Sequence, residues 1–146
     1  MASLGRLRAQ IESDVDEPVS AYTHVDTAVV DVHDAQTLVE LTDLETGMAE
    51  HHELHIRGQN SDTTYAEARY FRFTDASIAH IDWVEIDSSI EGNGYGRLLR
   101  RVIVERLTDV DAVYSKIVND RLISTAIDQG FKQIQDGDLK GWFVRE

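Results

Sequence analysis

The amino-acid sequence predicts an α/β fold with a mixed sheet, built as a single domain over residues 1–146. Segments rich in β-branched and aromatic residues alternate with polar turns through the middle of the chain. Two later segments carry apolar residues at helical spacing, and a hairpin pattern closes the chain. The predicted order is three strands, a helix, a strand, a helix and a hairpin, and the length suffices for one hydrophobic core.

The N-terminal third has the weakest patterns. Apolar spacing predicts a short helix over 3–12, and an acidic break with the single proline follows at 14–18, so residues 1–20 form a helix or extension. Residues 22–32 are rich in β-forming residues and predict a strand. Residues 34–49 fit either a helix with an aspartate cap or a strand over TLVELT.

The strongest strand patterns lie in the middle of the chain. HELHIR (52–57) and TYAEARYFRF (64–73) flank a polar turn and predict a hairpin, and SIAHIDWVEI (77–86) predicts the next strand. A glycine-rich stretch then leads into an amphipathic helix over 94–108. The apolar positions of that helix are Leu98, Leu99, Val102, Ile103 and Leu107.

The C-terminal part repeats the alternation of strand and helix. AVYSKIV (112–118) predicts a strand, and residues 120–129 predict a helix that ends at Gly130. FKQI and GWFVR flank the turn sequence DGDLK and predict the closing hairpin.

Charge is the most unusual feature of the composition. The chain carries 27 Asp and Glu against 14 Lys and Arg, a formal net charge of −13. Molar salt shrinks the Debye length to about 3 Å, so a carboxylate shell spread along the whole chain is typical of a halophilic protein. Attraction of a basic partner is the alternative explanation. The same charge disfavours nucleic acid as a partner, because its phosphates would be repelled.

Other features of the composition exclude whole classes of function. The sequence has no cysteine, which excludes disulfides and thiolate chemistry. No apolar run is long enough for a transmembrane span, and the first residues lack the apolar core of a secretory signal. We therefore expect a cytoplasmic protein that does not contact a membrane.

The stretch Glu91-Gly92-Asn93-Gly94-Tyr95-Gly96 joins a predicted strand to a predicted helix. A helix start leaves backbone N–H groups without intrahelical partners, and glycines let those groups approach an anion closely. The loop therefore suits a phosphate or pyrophosphate, although a plain tight turn explains the glycines equally well. A Walker loop is excluded because no Lys-Ser/Thr follows, and a dinucleotide-binding loop would follow the first strand of a parallel unit.

Together with the elements after it, this loop resembles the pyrophosphate loop of the GNAT superfamily of acyl-CoA N-acyltransferases. Gly94 and Gly96 match the glycines of that loop, and a strand, Asn119, a helix and Gly130-Phe131 follow in the family's order. The resemblance covers roughly residues 52–146. It implies a mixed, mostly antiparallel sheet flanked by helices, in which the strand before the loop splays from the next strand.

The resemblance also implies direct transfer of an acetyl or short acyl group from acyl-CoA to a primary amine of a small molecule or protein. Acetyl-CoA would be the acyl-donor co-substrate, no metal is expected, and a homodimer is left open. Arg97 is the best placed arginine for the phosphates, whereas Arg100 and Arg101 fit a solvated helix face. The implied donor-binding residues are the main chain of Val84, Glu85 and Ile86, with Gly92, Asn93, Gly94, Tyr95, Gly96, Arg97 and Asn119.

The acceptor amine has a pKa of about 10, so it arrives protonated and needs a base or a water relay. In some family members a glutamate on the strand before the loop is the base, and His80 holds that position here. Asp82 and Glu85 are the other candidates. Simple alternation places His80 and Asp82 on one face and Glu85 on the other, and a bulge would break that parity. Each of the three could equally be a structural polar residue.

Two positions depart from the family pattern. Glu91 stands where the loop usually has Arg or Gln, and Ala126 stands where many members have a tyrosine that protonates the leaving thiolate. A thiolate leaves without much help, but both changes favour the alternative function, a non-catalytic acyl-CoA-binding or protein-interaction module. The cluster His51-His52-Glu53-Leu54-His55 lacks the His-Glu-x-x-His metal pattern and is interpreted as exposed strand polarity.

Overall fold

The structure is a computed structural model that describes residues 9, 12–13, 15–31, 47–73, 76–87, 95–117, 120–134 and 142–146. None of the described helices is long and apolar enough to cross a membrane. The described elements are β1 (Thr23–Asp31), β2 (Met48–Arg57), β3 (Thr64–Phe73), β4 (Ile78–Ile86), α1 (Tyr95–Arg106), β5 (Ala112–Lys116), α2 (Asp120–Asp128), β6 (Lys132–Gln133) and β7 (Trp142–Arg145).

From residue 64 onward the elements agree with the sequence pattern to within two residues at each end. The prediction for residues 34–49 is wrong at its C-terminal end, because β2 begins at Met48 and pairs with β1 from there. Cross-strand pairing, which the local pattern does not encode, extends that strand. Of the helix predicted over 3–12, Ala9 and Glu12 are helical, and the remaining residues, like 32–46, lie outside the described part of the chain.

The strands form a mixed sheet in the order β1-β2-β3-β4-β5-β7-β6, and β4 and β5 are its parallel pair. The other pairs are antiparallel, which confirms the predicted sheet. β4 pairs with β5 only over Ile78–Ile81, whereas β4 itself continues to Ile86. The two strands therefore separate after Ile81, as the splayed pair expected from the resemblance requires.

A β-bulge lies on β4 at the point of separation. Tyr70 pairs with Ile81 and Arg69 pairs with Trp83, so Asp82 has no cross-strand partner on β3. The extra residue shifts the alternation of β4 by one position. Val84 therefore packs on the same side of the sheet as Ile81 and faces the main core.

The main core fills the space between the sheet and α1. We call the sheet surface under α1 the helix face and the other surface the opposite face. Four residues of α1 are buried against the helix face, as their spacing predicts: Leu98, Leu99, Val102 and Ile103. The helix face supplies Leu54, Ile56, Ala66, Ala68, Tyr70, Ala79 and Ile81 to this core, and a smaller core on the opposite face contains Ala49, Phe71, Phe73 and Trp142.

The C-terminal end of α2 is fixed by a Schellman motif. The N–H of Gly130 donates to the carbonyl of Ile127, and the N–H of Phe131 donates to the carbonyl of Ala126. Gly130 has a φ of 92°, a conformation that favours glycine. The predicted stop at Gly130 is confirmed, and the motif places Phe131 in the core beside Ala126.

Candidate active site

The free half of β4 forms one wall of an opening in the sheet. Among the described strands, β3 is the only one paired with Trp83–Ile86. Main-chain N–H and C=O groups that point toward β5 therefore have no described strand partner along this half-strand and can bind a ligand. They belong to the segment Val84–Ile86, which the resemblance assigns to the arm of the acyl donor.

The start of α1 packs directly on this half-strand. A Cβ on Gly96 would lie 3.1 Å from Cδ1 of Ile86 and 3.6 Å from Cγ1 of Val84. Glycine thus lets helix and strand make this contact without crowding Cδ1 of Ile86, a role that the sequence alone did not suggest. The first turn of α1, with N–H groups that lack intrahelical partners, consequently lies beside the opening.

The predicted donor site is described in the structure at the first turn of α1 and on β4. Gly92, Asn93, Gly94 and Asn119 lie outside the described residues, so their predicted contacts stay predictions, and Glu91 lies outside them too. Tyr95, Gly96 and Arg97 form the first turn of α1. The carbonyl of Arg97 accepts a hydrogen bond of 3.0 Å from Nε2 of Gln129, which ties this turn to the end of α2.

The bulge decides how the three candidate bases are arranged. Since β4 changes parity at Asp82, His80 and Glu85 share the opposite face, while Val84 lies on the helix face. The arrangement from simple alternation, with Glu85 on the other side from His80, is therefore wrong. Asp82 and Glu85 are exposed.

His80 is the buried member of the three. Its ring centroid lies 5.1 Å from that of Trp142 and 6.2 Å from that of Phe71, and the residue is 6% exposed. Burial lowers the pKa of His80 to about 4, and the nearby Asp82 carboxylate opposes this only in part. His80 is therefore neutral at pH 7, a weak proton acceptor, and enclosed by aromatic rings.

Glu85 instead faces an open cleft of about 500 Å³ where β3 begins and β4 ends. Glu67, Asp87 and Tyr65 also line it, and no Lys or Arg is among its described lining residues. Glu67 and Glu85 are direct cross-strand partners, which places their Cβ atoms about 5 Å apart. A cleft with this lining attracts a positively charged group such as an ammonium.

The sequence did not reveal a second acidic cluster, next to this cleft on the opposite face. Nε2 of His55 lies 2.9 Å from Oε1 of Glu53 and 3.3 Å from Oε2 of Glu67. Nε of Arg57 donates to Nδ1 of His55 over 3.3 Å, so the ring proton is on Nε2 and points to the glutamates. Metal binding through Nε2 needs the other tautomer, whose Nδ1–H would face the Arg57 N–H. Glu53, His55 and Glu67 are close enough to share an ion. Their arrangement is nevertheless better explained by a histidine that donates its Nε2 proton to the two glutamates.

Three residues differ in burial from what the sequence suggested. His52 and His55 are buried rather than exposed, because β2 is an interior strand between β1 and β3. Arg100 is also buried, although a solvated helix face was expected. Ala126 is fully buried in the main core, so the position of the family's tyrosine carries a packed methyl group here.

Several solved structures share this architecture, and acetyltransferases are among them. The chain is similar to Tetrahymena GCN5, with a TM-score of 0.52, 14% identity, and coverage of 65% of this chain and 67% of that chain. For nourseothricin acetyltransferase the TM-score is 0.52, the identity 12%, and the coverage 92% of each chain. For AtaTR bound with AcCoA the TM-score is 0.54, the identity is 10%, and the coverage is 82% of this chain and 92% of that chain. No protein-family model matches the sequence, and a search of curated proteins found no match. The chain therefore has the fold of the GNAT acetyltransferases.

Proposed function

We propose that this protein is an acyl-CoA-dependent N-acyltransferase that moves an acetyl or short acyl group to a primary amine. The observation that carries the proposal is the opening between β4 and β5 beside the first turn of α1. It offers the open main-chain groups of one strand and the N–H groups of a helix start in one place. An acyl donor with an amide-containing arm and phosphates needs both. The likeness to AtaTR, solved with AcCoA bound, supports acetyl-CoA as the donor.

In the proposed reaction the amine nitrogen attacks the carbonyl carbon of the thioester. A C–N bond forms, the C–S bond breaks, and CoA leaves as a thiolate that takes a proton from water. Main-chain N–H groups of β4 stabilise the negative charge that develops on the carbonyl oxygen, since they are already oriented. The nitrogen attacks as the neutral amine, so the ammonium loses one proton before the attack and the nitrogen loses a second proton as the tetrahedral intermediate collapses to the amide.

Glu85 is the proton acceptor in this proposal. Its exposed carboxylate belongs to the half-strand that carries the main-chain groups, and it faces the cleft with Glu67. The two carboxylates hold the ammonium group, which gives its first proton to water so that the nitrogen can attack. Glu85 takes the second proton, which bond formation makes acidic. His80 is less suitable because it is buried beside Phe71 and Trp142 and does not line the cleft. Asp82 stays the second candidate.

The test is release of CoA from acetyl-CoA in molar KCl with a panel of primary amines. The chain has no cysteine, so a thiol reagent detects only the CoA that is released. Release that depends on both the amine and the protein supports the proposal. Thermal shifts with CoA are measured in parallel, because a ligand that binds only the folded state raises the melting temperature.

A non-catalytic acyl-CoA-binding module is the second candidate function. The buried Ala126 favours it, since that position lacks a group that could protonate the leaving thiolate. Stabilisation by CoA without release for any amine would support this candidate. Neither stabilisation nor release would overturn both functions.

A further inference from the structure

Arg100 is a buried cation without a described counter-charge. The residue is 2% exposed, and its Nε and Nη1 have no hydrogen-bond partner among the described residues. It also takes no part in the ion pairs of the described chain. Burial lowers its pKa to about 10, so it is charged at neutral pH. A buried, unsatisfied charge costs free energy and calls for an explanation such as a missing ion or ligand.

The helix places Arg100 next to the opening in the sheet. Arg100 follows Gly96 by four residues, so both lie on one side of α1. Helical side chains lean toward the N-terminus of their helix, so the long Arg100 side chain can extend toward the turn that contains Gly96. That turn packs on Val84 and Ile86, the part of β4 that has separated from β5.

The surroundings of Arg100 on α1 are also positive. The first turn carries no acidic residue, and the helix start itself has a positive potential. Nε of Arg97 is a further buried donor atom without a partner in the described part of the chain. An anion at this turn would therefore meet several N–H donors that the described protein groups leave open.

We propose that Arg100 binds a phosphate group of the acyl donor, which enters the opening beside the first turn of α1. The inference rests on the proposed function. Arg100 supplies from the helix the positive charge that Glu91 does not supply from the loop, where the resemblance expects Arg or Gln. A planar guanidinium donates two parallel hydrogen bonds to a phosphate, which makes it a strong partner for this group.

The experiment compares Arg100→Leu and Arg100→Met with the parent protein by thermal shift and calorimetry, using CoA, pantetheine and inorganic diphosphate. Both variants remove a buried charge that has no partner, so without ligand they should melt at the same temperature or higher. The Kd for CoA should rise by about 10- to 100-fold, as for loss of a charge-assisted contact. Stabilisation by pantetheine, which lacks phosphate, should not change, and diphosphate should compete with CoA only in the parent.

Arg101→Leu is the matched control, because Arg101 lies on the same helix and pairs with Glu105; its Kd for CoA should change by less than about 3-fold. Unchanged CoA affinity in both Arg100 variants would overturn the inference and leave the proposed function intact. Equal losses for CoA and pantetheine would overturn the assignment to phosphate. A parent protein that does not bind CoA would instead refute the proposed function.

Discussion

A Cβ on Gly96 would lie 3.1 Å from Cδ1 of Ile86. Because glycine has no Cβ, the first turn of α1 can pack closely on the free half of β4. This contact brings the helix start to the opening in the sheet. It also gives a measurable coupling between two residues that are ten positions apart in the sequence.

We expect Gly96→Ala to change the free energy of unfolding less favourably in the parent than in an Ile86→Val background, because Ile86→Val removes the Cδ1 atom that a Cβ on residue 96 would crowd. The gain in helix propensity is the same in both backgrounds, so the difference isolates the crowding, and overpacking of this kind costs about 1 kcal/mol or more. Urea unfolding of the two single variants and the double variant measures it. Additive effects would show that the contact does not limit the approach of α1.

The buried imidazole of His80 should make stability depend on pH. Its pKa is about 4 in the folded protein against an ordinary 6.5, so between these values the unfolded chain binds a proton that the native state excludes. The folded protein therefore has its full free energy of unfolding, as far as His80 is concerned, above pH 6.5, and part of it is lost as the pH falls toward 4. At pH 4.5 the loss should be about 2 to 3 kcal/mol.

His80→Phe keeps a ring between Phe71 and Trp142 but cannot take a proton. The variant should therefore lose about 2 to 3 kcal/mol less stability than the parent between pH 7 and pH 4.5. Urea unfolding at both values measures the difference, and the carboxylates common to both proteins cancel. Parallel pH profiles would mean that His80 is protonated without cost.

If Glu85 accepts the amine proton, Glu85→Gln should lower kcat by about 10²- to 10⁴-fold. Affinity for acyl-CoA should be kept, because the main chain of β4 is unchanged. Asp82→Asn is the control on the neighbouring exposed carboxylate and should retain most of the activity, as should His80→Phe. A larger loss in His80→Phe than in Glu85→Gln would return the role of base to His80.

The excess of carboxylates predicts a response to salt. With a net charge of −13, the folded protein repels itself over a Debye length of about 30 Å at 0.01 M salt, and screening removes that repulsion. The melting temperature should rise with KCl up to molar concentrations. A melting temperature that is flat from low to molar salt would remove the halophilic explanation and favour a basic partner instead.

The sequence by itself determined the elements from residue 64 onward, because their signals are local. The apolar spacing of α1, the alternation of β3 and the end of α2 at Gly130 each depend on residues that are close in the sequence. The order of these elements, with the sequence Gly94-Tyr95-Gly96 at the start of α1, was enough to indicate the GNAT fold. Local pattern also identified the strand that carries Val84–Ile86 before any contact was known.

Only the tertiary structure decided what the side chains of that strand can do. Whether Glu85 and His80 share a face depends on the bulge at Asp82, and a bulge is set by pairing with β3 rather than by the sequence of β4. Whether His80 and Arg100 are solvated depends on what packs over them, which no periodicity reports. Ionisable groups in particular respond to burial, since the free energy of a charge depends on all the groups around it in space and not only on its neighbours in the chain.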